Sequence, residues 1–245
     1  SEVPFVIHID NRDSHECHTI NVDYQSEVFG QETEVRYIIE RLEYIIEQIV
    51  ENYDKTIKDI HMIPEKEWKQ VVYDFNDTYV EYPRKKCVHE LYTEQAQKTP
   101  DAIALVFEEQ KFTYKELDEM SNSLAHYLRN KGVKPNDVVP IIAKRSWHVI
   151  VAMLAVLKAG GAYMPVEPSY PVDRIGYMLE ETKANTILTY DWKKQLGDYN
   201  VISLEQVDYY HNTNMLVNVN TAFDLAYVLF TSGSTGKPKA TLISH

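Results

Sequence analysis

From Val88 onward, short β-branched or aromatic runs alternate with helix-length apolar periodicities, and this alternation most narrows the folds open to the chain. HELYTEQAQK predicts a helix stopped by Thr99-Pro100, because the residue before a proline is pushed out of the helical region. Ala102 to Phe107 predicts a strand. Thr113 and Glu116 stand at capping-box spacing; the helix they open turns Leu117, Met120, Leu124 and Leu128 inward and closes at Lys131-Gly132. Val138 to Ala143 is apolar almost throughout, as in a strand covered on both faces. Trp147, Ile150, Val151, Leu154 and Leu157 mark the next helix, ended by Gly160-Gly161. Strands are expected at Ala162 to Val166, Thr186 to Leu188 and Val201 to Ser203, with a helix around Ile175, Met178 and Leu179. Leu225 to Phe230 is a last apolar strand, running straight into a glycine-bearing loop. No internal repeat is visible. The expected fold is α/β, a mostly parallel sheet flanked by helices.

Residues 1–62 have a different grain. Ile20, Val22 and Tyr24 alternate with polar residues, the period of a half-buried strand. Val35, Ile38, Ile39, Leu42, Ile45, Ile46 and Ile49 then define a strongly amphipathic helix with Thr33 as its expected N-cap. Its acidic opposite face reads as solvated surface. Residues 63–87 hold one short helical turn, then Asn, Asp and Pro signals and the basic run Arg84-Lys85-Lys86, and read as an inter-domain linker. A small α+β piece, a linker and an α/β domain over 88–245 are therefore expected.

The net charge of -12 disfavours non-specific attraction to nucleic acid or to anionic membrane, while leaving room for a local positive cradle. No stretch reaches the length of a membrane-spanning helix, and the N-terminus lacks the pattern of a secretory signal. Cys17 and Cys87 make no disulfide framework, which fits a cytoplasmic setting. The chain starts at Ser1 and stops at His245, shortly after its strongest motif, so a piece of a longer protein is expected.

That motif is TSGSTGKPK, Thr231 to Lys239. Hydroxyls at Thr231, Ser232, Ser234 and Thr235 interleave with Gly233 and Gly236, and Lys237 and Lys239 follow. Glycines let successive N–H groups turn inward as an anion nest, hydroxyls add donors, and lysines neutralise charge. A strand feeding the loop places it at the carboxyl edge of the sheet, where α/β proteins bind ligands. The plainer reading is a surface turn, but such turns rarely follow a buried strand and leave through Lys-Pro-Lys. A Walker-type loop fails on spacing: only Ser234-Thr235 separate the glycines, and Pro238 follows the lysine.

Other clusters carry less. His15, Cys17 and His18 lack a usual zinc spacing and a second pair nearby. Glu108-Glu109 and Glu180-Glu181 read as solvated carboxylates at element ends.

YVLFTSGSTGKPKA resembles the signature loop of the adenylate-forming, AMP-binding superfamily. FTYKEL with SNSLAHYLRNKGVKPNDVV, and LKAGGAYMPVEPSYPVDRI, resemble the first two core motifs of nonribosomal peptide synthetase adenylation domains, in the right order and spacing. Residues 1 to about 80 are similar to the tail of a condensation domain with its connector. Two positions depart from the pattern: Ala240 stands where the family usually has Gly, and Glu167 where it has Asp.

The resemblance implies the N-terminal part of an adenylation domain behind a condensation-domain tail. It implies a parent enzyme that joins ATP and an amino acid into aminoacyl-AMP and pyrophosphate, then loads a phosphopantetheine thiol on a carrier-protein domain. Thr231, Ser232, Gly233, Ser234, Thr235, Gly236, Lys237 and Lys239 would hold the β- and γ-phosphates, and Mg2+ would accompany the ATP on ligands outside this sequence. The family's later motifs have no counterpart here, so no catalytic residue is assigned. An acyl-CoA ligase of the same superfamily is one alternative; an inactive fragment that binds nucleotide weakly is another.

Overall fold

The computed structural model describes residues 4–10, 19–30, 32–231 and 238–245. The chain forms two compact units, Ser1–Glu81 and Tyr82–His245.

In the first unit, β1 (Phe5–Asp10) pairs antiparallel with β2 (Thr19–Tyr24), Ile7 opposite Val22. Helix α1 (Glu32–Glu51) follows. It begins at Glu32, so Thr33 lies inside the first turn and is not the N-cap expected from sequence. The buried Gln48 amide spans to the backbone of His61, accepting its N–H at 3.0 Å and donating to its C=O at 2.8 Å. Helix α2 (Glu65–Val72) runs for two turns where the composition suggested one. It is tied to α1 by the Arg41 guanidinium, whose Nε donates to both Glu67 carboxylate oxygens at 2.9 and 3.0 Å. That hydrogen bonding holds the Glu67 carboxyl below its ordinary range.

The second unit opens with α3 (Val88–Lys98), whose first turn is capped by Glu90 accepting the Cys87 N–H at 2.8 Å. Next, β3 (Ile103–Phe107) and β4 (Gln110–Thr113) form a two-stranded antiparallel hairpin of their own. Its turn carries Glu108 at φ 54°. The strand read at Ala102–Phe107 is therefore not part of the main sheet: its hydrogen-bonding partner is the next segment along the chain. Thr113 then caps α4 (Tyr114–Asn130), accepting the Glu116 N–H at 3.2 Å, while the Glu116 carboxylate accepts the Thr113 N–H at 2.8 Å. This is the reciprocal box that the spacing predicts.

Strands and helices then alternate: β5 (Val138–Ala143), α5 (Trp147–Ala159), β6 (Ala162–Val166), α6 (Val172–Glu181), β7 (Thr186–Tyr190), β8 (Asn200–Ser203), β9 (Leu225–Thr231) and β10 (Lys239–Ser244). Gly160 ends α5 at φ 112°, and a Cβ there would meet Val219 at 2.9 Å. The sheet order is β10-β9-β6-β5-β7-β8. All neighbours are parallel except β10, which runs antiparallel to β9 at one edge.

Helices cover both faces. Leu124, Leu128, Val151 and Val156 pack from α4 and α5 with Ile141 and Leu188. On the other face Ile175 and Leu179 of α6 pack with Ile142, Met164, Ile187 and Val228. Consecutive residues Ile141 and Ile142 thus enter opposite cores, which explains why β5 reads as an unbroken apolar run. Each such buried side chain contributes about 1.5–3 kcal/mol.

One charge lies inside this packing. Lys158 of α5 is 5% exposed. Its ammonium donates to Asp118 Oδ1 (2.7 Å), Asp118 O (3.1 Å), Ser121 Oγ (2.7 Å) and Asn122 Oδ1 (2.8 Å), all on α4. Burial lowers its pKa, and Asp118 opposes that shift.

Candidate phosphate-binding edge

Five strands run in one direction, so their carboxyl ends gather along one edge of the sheet: Ala143, Val166, Tyr190, Ser203 and Thr231. Thr231 is the last residue of β9, and Lys239 is the first of β10. The two face each other as register partners, and both are exposed. The glycine loop is thus the connection of an antiparallel pair at the carboxyl edge. Of its sequence-predicted binding residues, Thr231 and Lys239 are brought together; Ser232, Gly233, Ser234, Thr235, Gly236 and Lys237 lie outside the described residues. The His15, Cys17 and His18 cluster also lies outside them.

The exit of the loop is held from below. Tyr177 of α6 donates its hydroxyl to the Pro238 carbonyl at 3.3 Å and sets its ring edge-on to Phe230, with centroids 6.4 Å apart. Ala240 pairs with Phe230 and packs against the α6-side core. It is absent from the positive-φ positions, so an ordinary extended residue serves where the family pattern has Gly.

The neighbouring loop, between β6 and α6, is also fixed. Glu167 accepts the Ser169 N–H at 3.4 Å, and its own C=O accepts the Tyr170 N–H at 3.1 Å. The longer Glu side chain therefore still closes the turn in which the family pattern places Asp. Lys194 donates to the carbonyls of Pro168 (3.5 Å) and Tyr170 (3.2 Å), and the Arg174 guanidinium lies 4.1 Å from the Tyr170 ring centroid. Between this loop and the end of β9 opens a cavity of about 320 Å³, with Val149, Pro165, Glu167, Tyr170 and Phe230 in its walls. Beside it Lys144 and Asp191 pair at 2.6 Å; their hydrogen bond raises the lysine pKa and lowers that of the aspartate.

Chemically, this edge offers a hydroxyl and an ammonium across the base of the loop, further ammonium groups at Lys144 and Lys194, and a hollow of mixed polarity beside them. Sequence reasoning missed Tyr177, Lys194 and the Lys144–Asp191 pair. No local motif marks them, because each acts on a segment brought near only by the sheet order. Glu108, Glu109, Glu180 and Glu181 are exposed, as their positions at element ends suggested. No helix among the described residues is long and apolar enough to cross a membrane.

Comparison with known proteins places these features in a family. Residues 92–245 match the AMP-binding enzyme family. Bacitracin synthase 3 of Bacillus licheniformis is 41% identical over 229 residues, which is 93% of this chain and 4% of that protein. Gramicidin S synthase 2 of Brevibacillus brevis is 41% identical over 227 residues, 91% of this chain and 5% of its own length. The chain thus spans about a twentieth of these relatives. Among solved structures, the N-terminal subdomain of Klebsiella oxytoca NpsA is 34% identical with a TM-score of 0.59, covering 66% of this chain and 43% of that one. The nonribosomal peptide synthetase FmoA3, in its alpha-methyl-L-serine-AMP bound form, is 26% identical with a TM-score of 0.66, covering 99% of this chain and 27% of its own. The chain belongs to the AMP-binding enzyme family, and its α/β unit has the fold of an adenylation-domain N-terminal subdomain.

Proposed function

We propose that this chain is part of a nonribosomal peptide synthetase whose adenylation domain activates an amino acid with ATP, yielding aminoacyl-AMP and pyrophosphate. The observation that carries this reading is the Thr231–Lys239 pair, which flanks the glycine loop at the carboxyl edge of a sheet belonging to this family. The substrate carboxylate attacks the α-phosphate and pyrophosphate leaves, so negative charge on the β- and γ-phosphates has to be met by fixed donors. Thr231, Ser232, Ser234 and Thr235 supply hydroxyls, Gly233 and Gly236 allow close backbone approach, and Lys237 and Lys239 supply positive charge. Mg2+ would share the neutralisation of the phosphates. The peptide synthetase relatives support an amino acid as the second substrate, and a carrier-protein domain with a phosphopantetheine thiol as the acceptor of the activated group. ATP supply is consistent with the cytoplasmic setting that is part of this reading.

In the same reading, residues 1–62 are the tail of a condensation domain, 63–87 a linker and 88–245 the N-terminal part of the adenylation domain. The similarity to FmoA3 across 99% of the chain supports continuity of all three pieces.

ATP–pyrophosphate exchange on a chain extended through the family's later motifs tests the proposal. Amino-acid-dependent exchange is expected, and the Lys237→Ala, Lys239→Ala double variant should lower it at least about tenfold. Exchange driven by fatty or aryl acids and not by amino acids would overturn the amino acid as substrate, and formation of a CoA thioester would then identify an acyl-CoA ligase. Unaltered exchange in the double variant would remove the lysines from the phosphate site.

A further inference from the structure

Away from the loop, two residues at the start of the second unit meet one at its end. Cys87 precedes α3, His89 lies in its first turn, and His245 follows β10. The sulfur and the imidazole nitrogens of this trio all lie within 4.8 Å of one another. Cys87 is fully buried, His89 is 4% exposed, and His245 is half-buried.

The hydrogen bonding around the trio sets which ring atoms are free. Asn218 Oδ1 accepts the Asn220 N–H at 2.9 Å, and its Nδ2 donates to the Asn220 carbonyl at 3.2 Å, so the amide orientation is fixed. The 3.1 Å contact between His89 Nε2 and Asn218 Oδ1 then requires the proton on Nε2. That leaves a lone pair on His89 Nδ1, a buried nitrogen with no hydrogen-bond partner in the protein. Asn218 Nδ2 also lies 3.8 Å from Cys87 Sγ, where it would support a thiolate. His245 accepts the Val88 N–H on Nδ1 at 3.2 Å, and its buried Nε2 has no partner. Two buried imidazole nitrogens without a protein partner, turned toward a sulfur that receives only weak N–H contacts, are an expensive arrangement unless something joins them.

We propose that Cys87, His89 and His245 form a divalent-metal site, one thiolate and two imidazoles, suited to Zn2+. Soft sulfur with imidazole nitrogen is the donor set zinc favours, and tetrahedral coordination would leave the fourth position to water. Ligand atoms around tetrahedral zinc stand roughly 3.3–3.6 Å apart, so closure needs side-chain shifts on the order of 1 Å. Binding releases the Cys87 thiol proton. On His245 the ring proton moves from Nε2 to Nδ1, and the Val88 amide gives up its 3.2 Å bond. That amide belongs to the first turn of a helix, where no intrahelical partner is lost, and Val88 is 48% exposed. Asn218 is the orienting partner on His89, the place usually held by a carbonyl or carboxylate behind a metal-bound histidine. The ion would pin the start of α3 to the end of β10, a role separate from the phosphate-binding edge.

Titration of the metal-free 245-residue chain with Co2+ tests this. One equivalent is expected to give thiolate charge-transfer absorption together with the d–d bands of tetrahedral cobalt, and Zn2+ should displace it and raise Tm. Cys87→Ser should remove the charge-transfer absorption, and Asn218→Ala should weaken Zn2+ binding about 10- to 100-fold with the ligands intact. Absent bands, or a charge-transfer band that persists in Cys87→Ser, would overturn the proposal, the latter pointing to Cys17. Should Cys87→Ser lose its native circular dichroism, His245→Ala decides: unchanged Co2+ affinity overturns the site, and at least tenfold weakening supports it.

Discussion

Helices α1 and α5 look opposite in sequence and end up opposite in structure, but in the reverse sense to intuition. α1 carries a long apolar stripe, yet Val35 and Gln48 are its only buried residues among the described ones, and Ile46 and Ile49 are each 42% exposed. α5 is apolar on nearly every side and buries Val151, Ala152, Ala155, Val156, Leu157, Lys158 and Ala159. A one-sided stripe announces a helix that needs one partner surface; an all-round apolar helix announces one enclosed between layers. Within its own unit, α1 has found only part of its partner, whereas α5 lies under α4 and on the sheet.

The sharpest way to break that contrast is to disturb the one charge α5 has taken inside. Asp118→Ala orphans the Lys158 ammonium and should cost about 3 kcal/mol in urea unfolding of the second unit. A loss below about 1 kcal/mol would show that Ser121 and Asn122 alone satisfy the lysine. Comparable in size, Ile142→Ala in the enclosed sheet should cost about 2–5 kcal/mol, while Ile46→Ala on the exposed stripe should stay below about 1 kcal/mol. Equal costs would mean that the α1 stripe is covered after all.

The smallest effect concerns His148, at the start of α5, stacked between Trp147 (3.6 Å) and Tyr190 (4.3 Å). Burial lowers its pKa below the ordinary 6.5. The folded state then binds fewer protons than the unfolded one, so this contribution to stability is complete above pH 6.5 and is lost as pH falls through and below it. An NMR titration should place the His148 midpoint below 6.5, and His148→Phe should flatten the corresponding part of the stability–pH curve. A midpoint at or above that value would mean the ring is better hydrated than its stacking implies.

Much of the second unit was legible because its elements carry local signals. The Thr113–Glu116 box, the apolar β5 and β6 runs and the Gly160 stop each depend on residues within a few positions of one another. The hairpin partner β4 and the edge strand β10 were not read, since their pairing is decided by neighbours and not by their own polar composition. Nor was the buried run Ser121, Asn122 and Ser123, polar residues on the inner side of α4. At the site, the loop motif named its residues, while its supports at Tyr177 and Lys194 arrive from other elements. The Cys87, His89 and His245 cluster was hidden for the same reason, its members standing at opposite ends of one unit in sequence.

Asn122 and Ser123 acquire their meaning from the long traverse between β8 and β9. Asn122 donates to Thr213 O, Ser123 to Asp208 O, Arg129 to Val217 O, and Asn220 of the traverse donates to Gly160 O. Those bonds lay residues 204–224 along α4 and carry the chain from one edge of the sheet to the far side of β6. β9 has no place to dock until α4, α5 and β6 exist and the traverse has settled on them. Pairing β9 with β6 therefore closes contacts of long sequence separation, which are expected to form after the local ones. Damage to that polar track is expected to slow the docking of β9 before it costs the core beneath it.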